Sequence, residues 1–392
     1  MSRKWKKETI AVRTQAEISQ HDEHSVPVFL TSSFLFENAE EMRAAFADEI
    51  ERPIYSRFSN PNTDEFVKKI CLLEEAESGY AMASGMSAVF SAFAALLKSG
   101  DSILSCRSVF GATHTVFTKI FPKWNIQTIY ADIDKTDEWQ KLIQPSTKMI
   151  YVETPTNPSI EIIDLEWLGK FAKKNNLLLV VDNCFATPVL QQPVKYGADL
   201  VIHSATKFID GQGRVLGGVV VGKKELIKEI YAFCRSTGPS LSPFNAWILS
   251  KSLETLSLRM EKHSANAHIV AQFLETRHDI KNLRYPFLPS HPQYEVAKKQ
   301  MSAGGALICF EVENIEAGRK FLNAIEMCSL TANLGDTRTT VSHPSSTTHA
   351  KLTEEERLSA GIRPGLIRIS AGLEHPDDII EDIRIALEAI KK

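Results

Sequence analysis

Short apolar runs alternate with segments of helical periodicity from residue 80 to about residue 240 of this chain. AMAS from Ala81, DSILSC from Asp101, NIQTIYAD from Asn125, KMIYVETP from Lys148, LLLVVDN from Leu177, DLVIHSATK from Asp199 and GGVVVG from Gly217 have the length and content of buried strands. Between them SAVFSAFAALLKSGD from Ser87, FGATHTVFTKIF from Phe110 and TDEWQKLI from Thr136 repeat their apolar residues at helical spacing, and the first of these is expected to stop at Gly100. Strand and helix in alternation predict an α/β fold, a mostly parallel sheet with helices on both faces.

The flanks read differently. Residues 1–55 form an amino-terminal arm in which TSSFLF around Phe34 is extended and ENAEEMRAAFADE from Glu37 is a short amphipathic helix. Asn60, Pro61 and Asn62 mark a turn, and TDEFVKKICLLEEAE follows as a helix capped by Thr63. A larger domain is expected over 56–250. From Ser242 a long helix leads into a smaller carboxy-terminal α/β domain over 251–392 and crosses the boundary between them. There GGALICFEVEN, EMCSLTANLGD and LIRISAGLEH are strands, and PDDIIEDIRIALEAIKK is a closing helix.

Composition narrows the class. A formal net charge of -3 leaves no basic footprint for nucleic acid, and the cluster Arg3, Lys4, Lys6, Lys7 reads as a solvated arm. No apolar run is long enough to span a membrane and the amino terminus lacks an apolar signal segment, so a cytoplasmic protein is expected. The six cysteines are scattered without a CxxC pair, which points to reduced, structural thiols. The histidines give no HExxH, and His343 and His349 have no ligand at metal spacing, so no metal site is expected.

Candidate chemistry concentrates at two strand ends. Lys207 follows an apolar strand and the hydroxyls Ser204 and Thr206, where desolvation lowers an amine's proton affinity and suits it to imine formation. Asp182 ends another apolar run; it is either a turn cap or the partner of a protonated ring nitrogen. Ser84, Gly85 and Met86 form a small-residue turn opening a helix, a place for an anion that Ser204, Thr206 and Arg57 could also reach, although such turns also serve packing alone. GQGRVLGG from Gly211 fails as a dinucleotide loop because Leu216 stands where a glycine or alanine is needed. Ser204 to Lys207 is also an SxxK string, but the SDN and KTG elements of serine acyl hydrolases are missing.

The ordered series YSRFSNP, SGMSA, ETPTNP, VVDNCFATP, SATKF, NLGDTRT, HP and THA resembles the Cys/Met-metabolism family of pyridoxal-phosphate enzymes over nearly the whole chain. The resemblance implies a type I aminotransferase-like fold and a homotetramer of two catalytic dimers. It implies pyridoxal 5′-phosphate held by Lys207, its ring nitrogen on Asp182, its ring hydroxyl on Asn157 and its phosphate on Gly85, Met86, Ser204 and Thr206. Tyr55 and Arg57 would reach the cofactor of a neighbouring subunit, and Arg368, with Asn333, would bind the substrate. Where many members carry a ring-stacking tyrosine this chain has Phe110, which keeps the face and loses the hydroxyl, leaving proton transfer to Lys207. Ala112 stands where γ-lyases of the family carry cysteine.

RSVFG, HSATKFIDGQGR, GPSLSPFNAW and NLGDTRTTVSHP resemble most the branch that exchanges the succinate of O-succinylhomoserine for sulfide. The implied reaction has Lys207 moving the α and β protons, succinate leaving the γ carbon and sulfide adding there to give homocysteine. Branches using cysteine as nucleophile or an acetyl ester, a γ-lyase, a serine acyl hydrolase on Ser204 and Lys207, and a non-catalytic assembly protein are the alternatives.

Overall fold

The computed structural model describes residues 5–347, 353–359 and 361–391; Arg3, Lys4 and the THA motif with His349 lie outside them. Seven strands form the larger sheet: β1 (Ser78–Met82), β2 (Ser102–Cys106), β3 (Gln127–Ala131), β4 (Thr147–Glu153), β5 (Leu178–Asp182), β6 (Leu200–Ser204) and β7 (Gly218–Gly222). Their spatial order is β1-β7-β6-β5-β4-β2-β3, and β7 alone runs antiparallel to its neighbours. Alternation places Leu179 and Val181 in one apolar layer and Val180 in the other, so both faces are buried, as the continuous apolar runs predict.

The second sheet contains β8 (Lys281–Arg284), β9 (Leu307–Glu311), β10 (Ser329–Leu330), β11 (Thr340–Ser342) and β12 (Leu366–Ser370) in the order β10-β11-β12-β9-β8. It is antiparallel except at β10-β11. Ile308, Phe310, Ile367 and Ile369 pack on its own helices, whereas Leu307, Cys309 and Leu366 join the apolar layer of the larger sheet. That shared layer fixes Arg368, on β12, against the larger sheet's strand ends.

Five helices matter for the site: α1 (Lys7–Arg13), α2 (Ala39–Phe46), α3 (Pro61–Glu74), α4 (Gly85–Leu96) and α5 (Gly111–Thr115). α3 starts before the predicted Thr63. Asn60 is its cap, accepting from Asn62, while Thr63 answers by accepting the Asn60 N–H, a reciprocal box with Pro61 in the first turn. α4 ends at Leu96, earlier than expected, because Leu97 is already extended and Gly100 serves the turn into β2 at φ +94°. The arm is less solvated than its charge suggests: the Lys7 amine donates to the Pro188 carbonyl. All six cysteines are free and buried.

Three further differences have local causes. The segment after Phe110 divides into α5, a π-helical turn over Val116–Ile120 and a 3₁₀ turn over Phe121–Trp124. The long helix from Ser242 is two, Pro243–Leu253 and Leu256–Glu275. At the break the Arg259 guanidinium takes the Ser252 carbonyl and also those of Phe208 and Ile209, bracing the loop that carries Lys207. EMCSLTANLGD yields only the two-residue β10, because its chain turns at Gly335, φ +79°, to lie on Lys207; a Cβ there would stand 2.7 Å from the Phe208 nitrogen.

Candidate active site

β4, β5 and β6 are parallel neighbours, so their carboxyl ends share one edge of the sheet. Asp182 closes β5, Ser204 closes β6, and Lys207 follows on the loop beyond. Strand order alone brings the two sequence-predicted groups together. The Lys207 amine donates to Asn333 Oδ1, which arrives from the loop after β10. Burial pulls this amine below the ordinary lysine value, and the Arg368 guanidinium beside it pulls the same way.

Arg368 is 6% exposed. Its Nη1 donates to Asn157 Oδ1 at 2.9 Å and its Nη2 reaches the Asn333 carbonyl at 3.3 Å, while Nε is buried without a partner. Asn157, Asn333, Arg368 and Lys207 are therefore one polar cluster with an unused donor. Burial lowers the guanidinium to about 10.

Asp182 Oδ1 accepts the Cys184 N–H at 2.9 Å, and burial raises the carboxyl to about 6. Beside it, in register on β4, is Glu153, a residue that the sequence reading passes over. Glu153 Oε1 accepts the Phe110 N–H at 2.8 Å and the Tyr151 hydroxyl at 3.2 Å, and that hydroxyl also lies 3.4 Å from Asp182 Oδ2. The available signal was that KMIYVE and LLLVVD each close an apolar run with an acid. Phe110 itself is 44% exposed, so its ring offers an open face.

The small-residue turn at α4 lies directly against β6. A Cβ on Gly85 would stand 2.6 Å from the Ser204 Cβ, so only glycine permits this approach. Ser84 caps α4 by accepting the Ser87 N–H at 3.1 Å, which leaves the Gly85 and Met86 amides at the positive end of the helix. Thr206 already exchanges hydrogen bonds with Gly217, its hydroxyl donating at 3.3 Å and accepting at 3.1 Å. Tyr55 and Arg57 lie elsewhere in this chain. Arg57 donates to the Arg235 carbonyl and lines a cavity of about 1110 Å³ shared with Arg52, Tyr80 and Tyr231, a cavity that neither Lys207 nor Asp182 lines.

A desolvated amine, a carboxyl one strand away and free amides at a helix end are the groups that an enzyme using a phosphorylated pyridine aldehyde needs. A family model for Cys/Met metabolism PLP-dependent enzymes matches residues 8–388, and the chain belongs to that family. It is 46% identical over 384 residues to an O-succinylhomoserine sulfhydrylase of Pseudomonas aeruginosa, covering 98% of this chain and 95% of that one. It is 41% identical to an L-methionine gamma-lyase of Fusobacterium nucleatum over 93% of this chain and 94% of that one. A crystal structure of a Campylobacter jejuni protein described as an O-acetylhomoserine (thiol)-lyase, with N′-pyridoxyl-lysine-5′-monophosphate, superposes with a TM-score of 0.94 at 35% identity, covering 98% of this chain and all of that one.

The fold is thus the type I aminotransferase-like one that the motifs imply, and pyridoxal phosphate is the family's cofactor. The residues present fit it: the Gly85–Ser204 approach leaves amides for a phosphate, the Asp182 carboxyl is buried where a ring nitrogen needs a partner, and Arg368 keeps a donor unused.

Proposed function

We propose that this protein exchanges the succinate of O-succinylhomoserine for sulfide, producing homocysteine for methionine biosynthesis, as a cytoplasmic homotetramer. The observation that carries the enzyme reading is the Lys207 amine, buried beside Arg368 and one strand from Asp182. Pyridoxal phosphate supplies an electron sink conjugated to the substrate's amine-bearing carbon. Lys207 anchors it and, once released, carries protons between the α and β carbons. Asp182 holds the ring nitrogen, Asn157 the ring hydroxyl and Phe110 the ring face. Gly85, Met86, Ser204 and Thr206 hold the phosphate, and Tyr55 and Arg57 reach that of the adjoining subunit. Arg368 takes the substrate carboxylate with Asn333 alongside; the Asn333 backbone carbonyl accepts from Arg368, and its side-chain oxygen accepts from Lys207 when that amine is free.

The sulfhydrylase reading is supported by RSVFGAT, with Phe110 where many family members carry tyrosine and Ala112 where γ-lyases carry cysteine, and by the sulfhydrylase relative at 46% identity. The γ-lyase relative at 41% supports the second reading, elimination from methionine. Purified enzyme supplied with pyridoxal phosphate and with succinyl or acetyl ester, each against sulfide or cysteine, separates these readings. Homocysteine from the succinyl ester and sulfide should exceed every other product by roughly tenfold. Thiol release from methionine at a comparable rate favours the lyase, and homocysteine from neither ester overturns the sulfhydrylase.

A further inference from the structure

We propose that Glu153 is a positioning residue that works as a neutral acid: it holds a proton beside the charged Asp182 and so fixes both Asp182 and the backbone of Phe110. This rests on the role given above to Asp182.

The two acids end adjacent parallel strands in register, so their side chains leave the same face of the sheet. Tyr151 lies between them, its hydroxyl 3.2 Å from Glu153 and 3.4 Å from Asp182. A single hydroxyl proton can serve only one carboxylate, and two carboxylates in one dry site cannot both ionise cheaply. One of them must bring a proton of its own.

Their surroundings decide which. Asp182 has the Cys184 N–H on one oxygen and lies close enough to His203 for that ring to favour its charge. Glu153 has only the Phe110 N–H and the shared phenol, and it is 5% exposed. Besides Asp182 on β5, Tyr151 on its own strand contacts it, Thr113 on α5 bonds that phenol, and Cys184 and Lys207 occupy the Asp182 side. Among the described residues His203 favours the charge of Asp182, and no cation does the same for Glu153. Burial first, then repulsion from Asp182, raises Glu153 above the ordinary carboxyl range, while the Cys184 N–H and His203 oppose the effect of burial on Asp182. With one proton between them, Glu153 keeps it. A neutral Glu153 still accepts from Phe110, so the stacking residue stays seated without a second negative charge near the ring-nitrogen partner.

Glu153→Gln, which has the shape of the protonated acid and cannot ionise, distinguishes this from plain packing. The loaded Gln enzyme should keep its visible cofactor absorption and turn over within about threefold of wild type near neutrality. It should also lack the alkaline fall in rate expected of wild type as Glu153 ionises above its ordinary range. Glu153→Ala, without an acceptor for Phe110, should fall more than about tenfold. Two readouts need no cofactor. Wild type should show the infrared carbonyl stretch of a protonated carboxylic acid near neutral pH, absent in the Gln variant. Because burial raises the folded value above the unfolded one of 4.5, the folded chain holds an extra proton from 4.5 up to that raised value. Stability should therefore fall as pH rises through that window and level off above it, with a shallower slope in the Gln variant. A Gln variant as inactive as Ala, or one with the wild-type infrared band and melting slope, overturns the proposal. A wild type that binds no pyridoxal phosphate but shows the band sinks the enzyme reading alone.

Discussion

Two lysines of this protein, Lys69 fully buried and Lys207 half-buried, are opposites. Lys69, on α3, is fully buried with its amine 3.2 Å from Glu65, 3.3 Å from Glu254 and 3.3 Å from the Ser250 carbonyl. Lys207 is in no ion pair among the described residues; an amide oxygen holds it and a guanidinium stands near it. Carboxylates surround Lys69, and its bond to the Ser250 carbonyl ties α3 to the helix Pro243–Leu253. Lys207 is stripped of water and set against positive charge, which frees its lone pair. Burial is common to both, and the partner decides between a strut and a nucleophile.

The comparison breaks most readily at Lys207. Lys207→Ala should abolish the visible absorption of the bound cofactor and lower turnover by about 10³-fold or more, with the melting temperature nearly unchanged. Lys69→Ala should do the reverse. It leaves Glu65 buried beside fewer partners and costs about 3–5 kcal/mol in denaturant unfolding, while the folded fraction keeps its colour and turnover. A Lys69 variant that is stable but colourless would refute the division.

Arg368→Lys sharpens the Lys207 side with a smaller effect. A point charge replaces a planar fork that now spans Asn157 and the Asn333 carbonyl, so KM should rise by roughly 10- to 100-fold with a lesser change in kcat, measured in steady-state assays. Smallest is Lys170→Ala. Its pair with Glu166 is solvent-exposed, and calorimetry should find the melting temperature within about two degrees of wild type with activity intact.

How much of this was legible depends on how local each cause is. Lys207 and Asp182 stood out because a charged residue closing an apolar run is visible along a single segment. The fold class was legible for the same reason, since strand length and apolar content are local. Glu153 closes an apolar run in the same way, but its meaning comes from register: it matters as the neighbour of Asp182 across β4 and β5, and no run of sequence contains both. Likewise the break at Thr255 answers to Arg259 reaching the Phe208 and Ile209 carbonyls, and the shortness of β10 to Gly335 lying on Lys207. The misplaced start of α3 is a local failure: Asn60 ahead of Pro61 is a cap signal, and Thr63 is its partner in the box.

The approach of Gly85 to Ser204 also sets an order of assembly during synthesis. Gly85 follows β1, and β1 joins the larger sheet only through β7, so the strand that aims α4 at β6 gains its hydrogen-bonded neighbour only once Gly222 has been made and has left the ribosome. The amino-terminal half of the cradle must wait through more than a hundred residues of translation for its other wall, a long-range closure of the kind that slows folding. A nascent chain that ends before β7 would carry Lys207 while β1 still lacks the strand that holds it beside the sheet.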